Sequence, residues 1–232
     1  MKAYKGLGKD MTCRGFQYEE GKTYELPEGE TPKLCENGFH ACETPLDCFG
    51  YYAPADAVYH EVELDGVPDE KSTEDSKRVG SKIKIGARLD IAGIVKAQFE
   101  YTKDKCVNIQ TGGDSSALTG GDWSALTGGY GSALTGGYGS ALTGGDRSAL
   151  TGGDRSALTG GDRSALTGGD RSVMRGDTGS KFCGGMWSVF AVEIRNDDYN
   201  LIDMKVGVVD GETLKPDTWY TLENGEWKEV SE

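Results

Sequence analysis

Residues 111–190 consist of eight-residue repeats, and no other feature of the sequence restricts the fold as strongly. Eight octads follow one another from residue 111 to residue 174, and the form TGGDRSAL occurs three times. Two further octads, 175–182 and 183–190, keep a glycine, a serine and a final phenylalanine in the same columns. A helix is excluded because eight residues advance about 2.2 helical turns and each internal glycine costs about 1 kcal/mol.

Each octad is expected to supply one short strand and one tight turn. The Ser-Ala-Leu-Thr segment is extended, and the Gly-Gly-Asp or Gly-Gly-Tyr segment turns the chain because glycine accepts a positive φ without steric cost. Alternation places leucine and serine in the interior and alanine and threonine outside. Two octads close one coil, so the repeats predict a mainly β fold: a narrow β-solenoid of about five 16-residue coils (ten octads) with small α/β capping regions at both ends.

The flanks have ordinary mixed sequence, so the chain is predicted to have three regions. These are an N-terminal α+β capping domain over residues 1–110, the octapeptide-repeat β-solenoid over 111–190 and a C-terminal β-hairpin region over 191–232. The C-terminal region is too short for a core of its own. We therefore expect it to pack on the N-terminal domain or on the solenoid end.

Short alternating segments and turn residues locate the elements of the flanks. Strands are predicted at Lys2–Gly6, Phe16–Glu19, Lys22–Leu26, Val58–Leu64, Lys82–Leu89, Trp187–Ile194, Leu201–Val209, Asp217–Leu222 and Glu226–Val230. Thr44 before Pro45 predicts a capped helix that ends near Tyr52. Asp90 predicts the cap of a second helix over 91–102, and its place just before the repeats indicates that this helix covers the solenoid end.

The chain carries a net charge of −13, and nearly all of it lies outside the repeats. Residues 111–190 contain seven Asp against five Arg and one Lys. So acidic a protein is not expected to bind nucleic acid or an anionic membrane. The N-terminal residues lack the apolar segment of a signal peptide, and no run of about eighteen apolar residues predicts a transmembrane helix.

No arrangement of residues predicts a catalytic or metal site. The two histidines, His40 and His60, do not stand in a recognised nucleophile context. Segment 35–48 contains three cysteines and His40 as potential zinc ligands, but it lacks a Cys-x2-Cys knuckle and its neighbours are apolar. The six cysteines, without an export signal, are predicted to be reduced, buried thiols. We therefore expect a non-enzymatic protein without a cofactor.

The octads at 127–134 and 135–142, both TGGYGSAL, resemble those of the bacterial ice-nucleation proteins. The resemblance implies 16-residue coils with Thr-x-Thr pairs that order water, stacked tyrosines, and late arginine-bearing coils that assist multimerisation. Here alanine replaces the first threonine of each pair, so an ice-binding protein is a lesser alternative. Tyr130 and Tyr138 are expected on opposite edges, where they cannot stack on each other. The late arginines are expected either to promote self-association or to lie in exposed turns neutralised by neighbouring aspartates.

Three phrases in the flanks resemble a bacteriophage octapeptide-repeat family of unknown function. They are CRGFQYEEGKTYE from Cys13, GFHACETPLDCF from Gly38 and VDGETLKPDTWYTL from Val209. The resemblance implies the architecture of flanks around repeats and supplies no activity. It implies a location in the cytoplasm of a host cell or in the virion.

The segment Gly-Phe-His-Ala-x3-Pro-x4-Gly-Tyr-Tyr, from Gly38, loosely resembles the second motif of ADP-ribosyltransferases. The resemblance implies that Tyr4-Lys5-Gly6 and a carboxylate, Glu61 or Glu63, would hold a nicotinamide ribose. The alternative function is therefore an ADP-ribosyltransferase-like or nucleotide-binding flank domain with the solenoid as a targeting arm.

We predict that the solenoid displays a repetitive surface for a protein partner or for self-association into a homo-oligomer. Exposed aromatic and arginine side chains on a rigid repeat are suitable anchors for such contacts. The candidate binding residues are Thr119, Thr127, Thr135, Thr143, Thr151, Thr159, Thr167, Trp123, Tyr130, Tyr138, Arg147, Arg155, Arg163 and Arg171.

Overall fold

The computed structural model describes residues 1–196 and 200–231. The chain forms two compact units, Met1–Ala97 and Gln98–Glu232. Each unit has a hydrophobic core of its own. The boundary falls within the α-helix α1, Ile91–Lys105.

The first unit is built on an antiparallel β-sheet. Its strands and those of a small separate ribbon are β1 (Lys2–Gly8), β2 (Thr12–Cys13), β3 (Phe16–Gln17), β4 (Thr23–Glu25), β5 (Phe39–Cys42), β6 (Ala57–Asp65), β7 (Lys77–Gly80) and β8 (Lys82–Leu89). The sheet order is β4-β8-β6-β1-β5-β7, and β2 pairs with β3 alone. Two 3-10 segments, Pro45–Gly50 and Pro54–Asp56, lie between β5 and β6. Leu7, Val62 and Ile85 are part of the buried core.

The sequence located β1, β6, β8 and the start of α1 correctly. The carboxylate of Asp90 caps α1, because its Oδ1 accepts a 2.7 Å hydrogen bond from the amide of Gly93. The helix predicted after Thr44 is a 3-10 segment, and the Thr44 side chain makes no capping hydrogen bond. The amide of Thr44 bonds instead to Oγ of Ser76 at 2.8 Å. Strands β5 and β7 were not predicted.

The second unit is the β-solenoid, in which successive octads alternate between two parallel sheets. Its strands are β9 (Asn108–Thr111), β10 (Ala117–Thr119), β11 (Ser124–Thr127), β12 (Ala133–Thr135), β13 (Ala141–Thr143), β14 (Ala149–Thr151), β15 (Ala157–Thr159), β16 (Ala165–Gly168), β17 (Val173–Gly176), β18 (Lys181–Gly184) and β19 (Val189–Arg195). Equivalent residues of adjacent coils pair directly, as Leu118 does with Leu134 and Leu126 with Leu142. The prediction of a β-solenoid of about five turns, 16 residues apart, is confirmed.

Serine and leucine fill the interior of the solenoid, as the alternation predicts. The leucines from 126 to 166 and the serines from 124 to 188 are buried. The hydroxyl of Ser132 lies 2.8 Å from the carbonyl oxygen of Gly129 and 3.3 Å from that of Gly113 in the preceding coil. Such contacts satisfy the buried hydroxyl and join adjacent coils.

Three antiparallel strands close the C-terminal end of the solenoid. They are β20 (Leu201–Val208), β21 (Trp219–Glu223) and β22 (Glu226–Glu229). Strand β20 pairs with β19, and β21 pairs with both β18 and β22. The Trp227 ring packs on Phe182 and Phe190, with ring centroids 5.8 Å apart in both contacts. The end of the leucine column is therefore covered by aromatic side chains.

The glycine pairs of the repeats serve a different purpose from the expected one. Positive φ falls two residues after the pair, at 57° for Arg147 and 55° for Trp123, and not on the paired glycines. The pairs are required for space. A Cβ on Gly128 would lie 2.6 Å from Cβ of Ser132, and one on Gly145 would lie 2.9 Å from the backbone of the preceding coil. The prediction that the glycine pair accepts the positive φ is wrong.

The C-terminal part of helix α1 and Cys106, which follows it, contact the solenoid. The Thr102 hydroxyl donates a 3.3 Å hydrogen bond to the carbonyl oxygen of Arg155. The thiol of Cys106, just after the helix, lies 3.4 Å from the carbonyl oxygen of Ser124. The end of the helix and the residue that follows it therefore contact the solenoid at Ser124, in one of its first coils, and at the turn of Arg155.

Candidate binding surface of the solenoid

The outer faces of the two solenoid sheets differ in exposure. We call β10, β12, β14, β16 and β18 the open sheet, and β9, β11, β13, β15, β17 and β19 the covered sheet. On the covered sheet, Ala141 and Ala157 are only 6% and 2% exposed. The Cys106 thiol meets the backbone of Ala141, and burial there raises the pKa of this thiol. At the same repeat position of the open sheet, Ala133 and Ala149 are exposed to solvent.

The seven candidate threonines form two rows on opposite sheets. Thr119, Thr135, Thr151 and Thr167 lie on the open sheet, and Thr127, Thr143 and Thr159 lie on the covered sheet. The separation follows from the architecture, because successive octads occupy alternate sheets. A single continuous threonine face, as the ice-nucleation resemblance implies, is not formed.

The candidate turn residues are divided between the two edges of the solenoid in the same way. Trp123, Tyr138, Arg155 and Arg171 belong to turns that precede covered-sheet strands, and Tyr130, Arg147 and Arg163 to turns that precede open-sheet strands. Tyr130 and Tyr138 therefore do not stack on each other. Instead Arg147 donates to the Tyr130 hydroxyl at 2.9 Å and lies over its ring. Trp123 packs edge-on against Tyr138, with ring centroids 5.2 Å apart.

The turn aspartates bond to the backbone of the next coil. Oδ1 of Asp114 accepts a 2.9 Å hydrogen bond from the amide of Tyr130, and Oδ1 of Asp146 accepts one of 3.1 Å from the amide of Asp162. This role, in which the carboxylate joins adjacent turns, was not predicted from the sequence. A signal was present, since aspartate recurs at one octad position.

Arg163 differs from the other repeat arginines in its surroundings. It lines an open depression of about 560 Å³ on the open sheet, together with Lys181 and Trp219. Within the described part of the chain, the Arg163 guanidinium has no hydrogen-bond or ion-pair partner, whereas the Lys181 ammonium donates to the Ser231 carbonyl at 3.0 Å. Arg163 was predicted from the sequence as a binding residue, whereas Lys181 and Trp219, which come from outside the regular octads, were not.

A second concave site, a cavity of about 540 Å³, lies in the first unit. It is lined by the segment 4–6 and by His40, which the ADP-ribosyltransferase resemblance groups together. Glu61 and Glu63 do not line it, and each forms an ion pair with a surface lysine. Of the residues that the ADP-ribosyltransferase resemblance groups together, the structure therefore brings segment 4–6 and His40 to the cavity but neither glutamate.

Two basic groups of this cavity are held in environments that favour their neutral forms. Burial lowers the pKa of Lys5. Burial also lowers the pKa of His40, and the positive charges of Lys5 and Lys77 lower it further. Nε2 of His40 accepts a 2.9 Å hydrogen bond from the amide of Cys35, which requires this nitrogen to be unprotonated.

The potential zinc ligands do not assemble into a site. Over residues 1–196 and 200–231, no group of three or more His, Cys, Asp or Glu side chains is placed to hold a metal ion. Cys42 and Cys48 are buried, and their mutual hydrogen bond and burial raise the pKa of Cys42. Cys35 is exposed, so the expectation of buried thiols is wrong for this residue. No helix within the described ranges is long and apolar enough to span a membrane.

Comparison with known proteins adds a match for the first unit only. Residues 1–97 match a family described as "Domain of unknown function (DUF7666)". No curated protein and no solved structure matches the chain. The family match ends where the first compact unit ends, so it coincides with a structural boundary.

Proposed function

We propose that the chain is a non-enzymatic binding protein whose solenoid presents the open sheet to a partner protein. The observation that carries this proposal is the unequal exposure of the two sheets, with Ala133 and Ala149 exposed where Ala141 and Ala157 are buried. Parallel stacking places equivalent side chains about 4.8 Å apart from coil to coil. The open sheet is therefore a regular, solvent-exposed surface that is available to a partner.

The depression beside Arg163 is the proposed centre of the contact. An unpaired guanidinium next to Trp219 combines two of the side-chain types that most often dominate the energy of a protein interface. Arg163 and Lys181 also make this place basic in a chain of net charge −13. We infer a partner that inserts an acidic side chain here, because charge complementarity selects partner and orientation.

The proposal is tested by placing a photo-crosslinking amino acid at Thr151 or at Thr127. These residues share a repeat position and are both exposed, but they lie on the open and the covered sheet, respectively. In a host-cell extract, Thr151 is expected to give one dominant crosslinked protein and Thr127 none. Excess unlabelled chain should compete with the crosslink, whereas excess Arg163→Glu chain should not. Equal crosslinking from both positions would contradict the proposal.

Self-association is a second candidate, and the first coil favours it. Strands β9 and β10 stand at the ends of their sheets, and within the described residues no strand pairs with their outer sides. Val107 and Ile109 beside this edge are 78% and 77% exposed. Unprotected strand edges with apolar side chains are templates for pairing with another chain.

The second candidate predicts that the oligomeric state depends on Ile109. Ile109→Lys should keep the chain monomeric in light scattering at concentrations where the wild-type chain forms dimers. Ile202→Lys is the matched control, because Ile202 is also an exposed strand isoleucine, at 62%, but lies at the opposite end of its sheet. A wild-type chain that is monomeric at all concentrations would exclude this candidate.

The cellular setting follows the resemblance of the flanks. We propose a phage-encoded protein that resides in the host cytoplasm or the virion and does not bind nucleic acid or membranes, which its net charge of −13 supports. Ice binding has less support, because the threonines are divided between two sheets. Mass spectrometry of purified virions and of the infected-cell cytoplasm distinguishes the two locations.

The enzymatic alternative has a direct test as well. An ADP-ribosyltransferase would transfer label from NAD to a protein in host lysate, and Glu61→Gln or Glu63→Gln would abolish the transfer. We propose that no transfer occurs, because neither carboxylate lines the cavity. Label transfer that either substitution abolishes would overturn the non-enzymatic assignment.

A further inference from the structure

The first unit contains a cavity of its own. We propose that it binds a small planar anion, an aromatic ring that carries one acidic group, with the acidic group at Lys5 and the ring against the aromatic side chains of the cavity. The proposal concerns residues 1–97 and does not depend on the function of the solenoid. Cavities of about 300–1,000 Å³ with a few convergent polar groups are typical of small-molecule sites, and this one measures about 540 Å³.

Lys5 is the central observation. Strand β1 carries this side chain into the protein, where the residue is only 5% exposed. Its ammonium donates a 2.7 Å hydrogen bond to the carbonyl oxygen of His40 and lies 3.9 Å from the Cys13 sulfur and 5.1 Å from the centre of the Tyr18 ring. In the described part of the chain, no carboxylate pairs with it.

A buried ammonium without a counter-ion is costly, since neutral partners replace only part of its hydration. Burial lowers the pKa of Lys5, as expected where the charged form of the amine is costly. A bound anion would supply the missing negative charge and would stabilise the charged form of the amine. The geometry thus specifies the sign of the charge on the ligand.

The other charged side chains of the cavity agree with that sign. Arg14 and Lys77 line the cavity, against one carboxylate, that of Glu25. The first unit as a whole has thirteen Lys and Arg against eighteen Asp and Glu, so the excess of basic groups is local to the cavity. A cleft lined by one sign of charge concentrates ions of the opposite sign.

The aromatic side chains specify the shape of the ligand. Phe16 and Tyr51 both line the cavity, yet they are 44% and 47% exposed. Phe16 is held in place by Tyr18 and Tyr24, with ring centroids 4.8 Å and 5.3 Å away. A planar ring that covers these exposed faces would remove apolar surface from water and gain aromatic contacts.

Calorimetry on the full chain with four probes tests the proposal. Adenosine monophosphate and indole-3-acetate each combine a ring with an acidic group, adenosine supplies a ring alone, and inorganic phosphate supplies an anion alone. At least one ringed anion is expected to bind with a Kd below about 1 mM, and the two partial probes at least about tenfold more weakly. The first two probes distinguish a nucleotide from an aromatic carboxylate. Binding of neither at up to about 5 mM would overturn the proposal.

Substitutions then locate the bound molecule. Lys5→Met and Phe16→Ala should each weaken the binding of the ringed anion at least about tenfold. Lys9→Met is the control, since Lys9 pairs with Asp56 on the surface and does not line the cavity. Circular dichroism establishes that each variant is folded, and Arg14→Met, at an exposed residue, is a second variant that leaves the core intact. Unchanged affinity in both Lys5→Met and Arg14→Met would show that the anion does not bind in this cavity.

Discussion

The backbone amide of Asp170 donates a 3.0 Å hydrogen bond to Oδ1 of Asp154, 16 residues earlier in the preceding coil. The amide of Met186 makes the same contact with Asp170 at 2.8 Å. These aspartates therefore hold successive turns in register. The sequence predicted only that these aspartates neutralise the neighbouring arginines, and it did not predict their hydrogen bonds to the backbone of the next coil.

Removal of one such contact should measurably weaken the solenoid. Asp154→Ala is expected to lower the free energy of unfolding by about 1 kcal/mol, because it leaves the amide of Asp170 without its acceptor. Asp162→Ala is the matched control, since the Asp162 side chain accepts no such bond within residues 1–196 and 200–231. Urea unfolding followed by circular dichroism measures both. Equal effects would show that the contact adds no stability.

The two kinds of glycine in the repeats should respond differently to alanine. Gly128→Ala places a methyl group 2.6 Å from Cβ of Ser132, four residues later in the same turn, so this turn must open, and we expect a loss of about 2–3 kcal/mol. Gly131→Ala meets only Ser115 Oγ at 3.9 Å, and its cost is the strain of φ 65° in a residue with a Cβ, about 1 kcal/mol. Thermal unfolding should therefore rank Gly128→Ala as the less stable variant. The opposite order would mean that lack of space beside Ser132 does not explain the glycine at position 128.

Leucines in the middle and at the edge of the solenoid should contribute unequally. Leu142 is fully buried, and Leu142→Ala is expected to cost about 2–5 kcal/mol. Leu118 is only partly buried in the first coil, so Leu118→Ala should cost less than half as much. Chemical unfolding of the two variants provides the comparison. If both variants lost little stability, the leucine column would not be the core of the solenoid.

Lys5 is expected to reduce the stability of the protein in the absence of a ligand. Lys5→Met should raise the free energy of unfolding at neutral pH by about 1–4 kcal/mol, although it removes the hydrogen bond to His40, because it eliminates a buried charge without a counter-ion. Since burial lowers the pKa of Lys5, the unfolded chain binds more protons than the folded chain between this lowered pKa and the ordinary value of 10.5.

It follows that the wild-type chain should gain stability relative to Lys5→Met as the pH rises through that interval. The difference between the two proteins should be constant at lower pH and should be smallest above pH 10.5. Thermal melts across the pH range measure it. A difference that grows with rising pH would contradict the assigned environment of Lys5.

The repeat period and the alternation within it were sufficient to predict the solenoid, its number of coils and the burial of Leu126 and Ser132. These features depend on local pattern alone. The φ of Arg147 was missed because the backbone of a stacked turn is determined by contacts with the next coil. The depression at Arg163 was missed in part, since Lys181 and Trp219 are distant in sequence and meet only in the fold. Lys5 gave a weak signal, a lysine among the apolar residues of one strand.

The alternation of octads between two sheets has a consequence for how such a gene can change its length. Gain or loss of two octads adds or removes one whole coil, and every later residue keeps its sheet. Gain or loss of a single octad would transfer all later residues to the opposite sheet. Ala149, which is exposed, would then lie on the covered sheet, and Ala157, which is buried, would lie on the open sheet. Length variants of this protein should therefore differ by multiples of 16 residues, and an odd octad would be selected against.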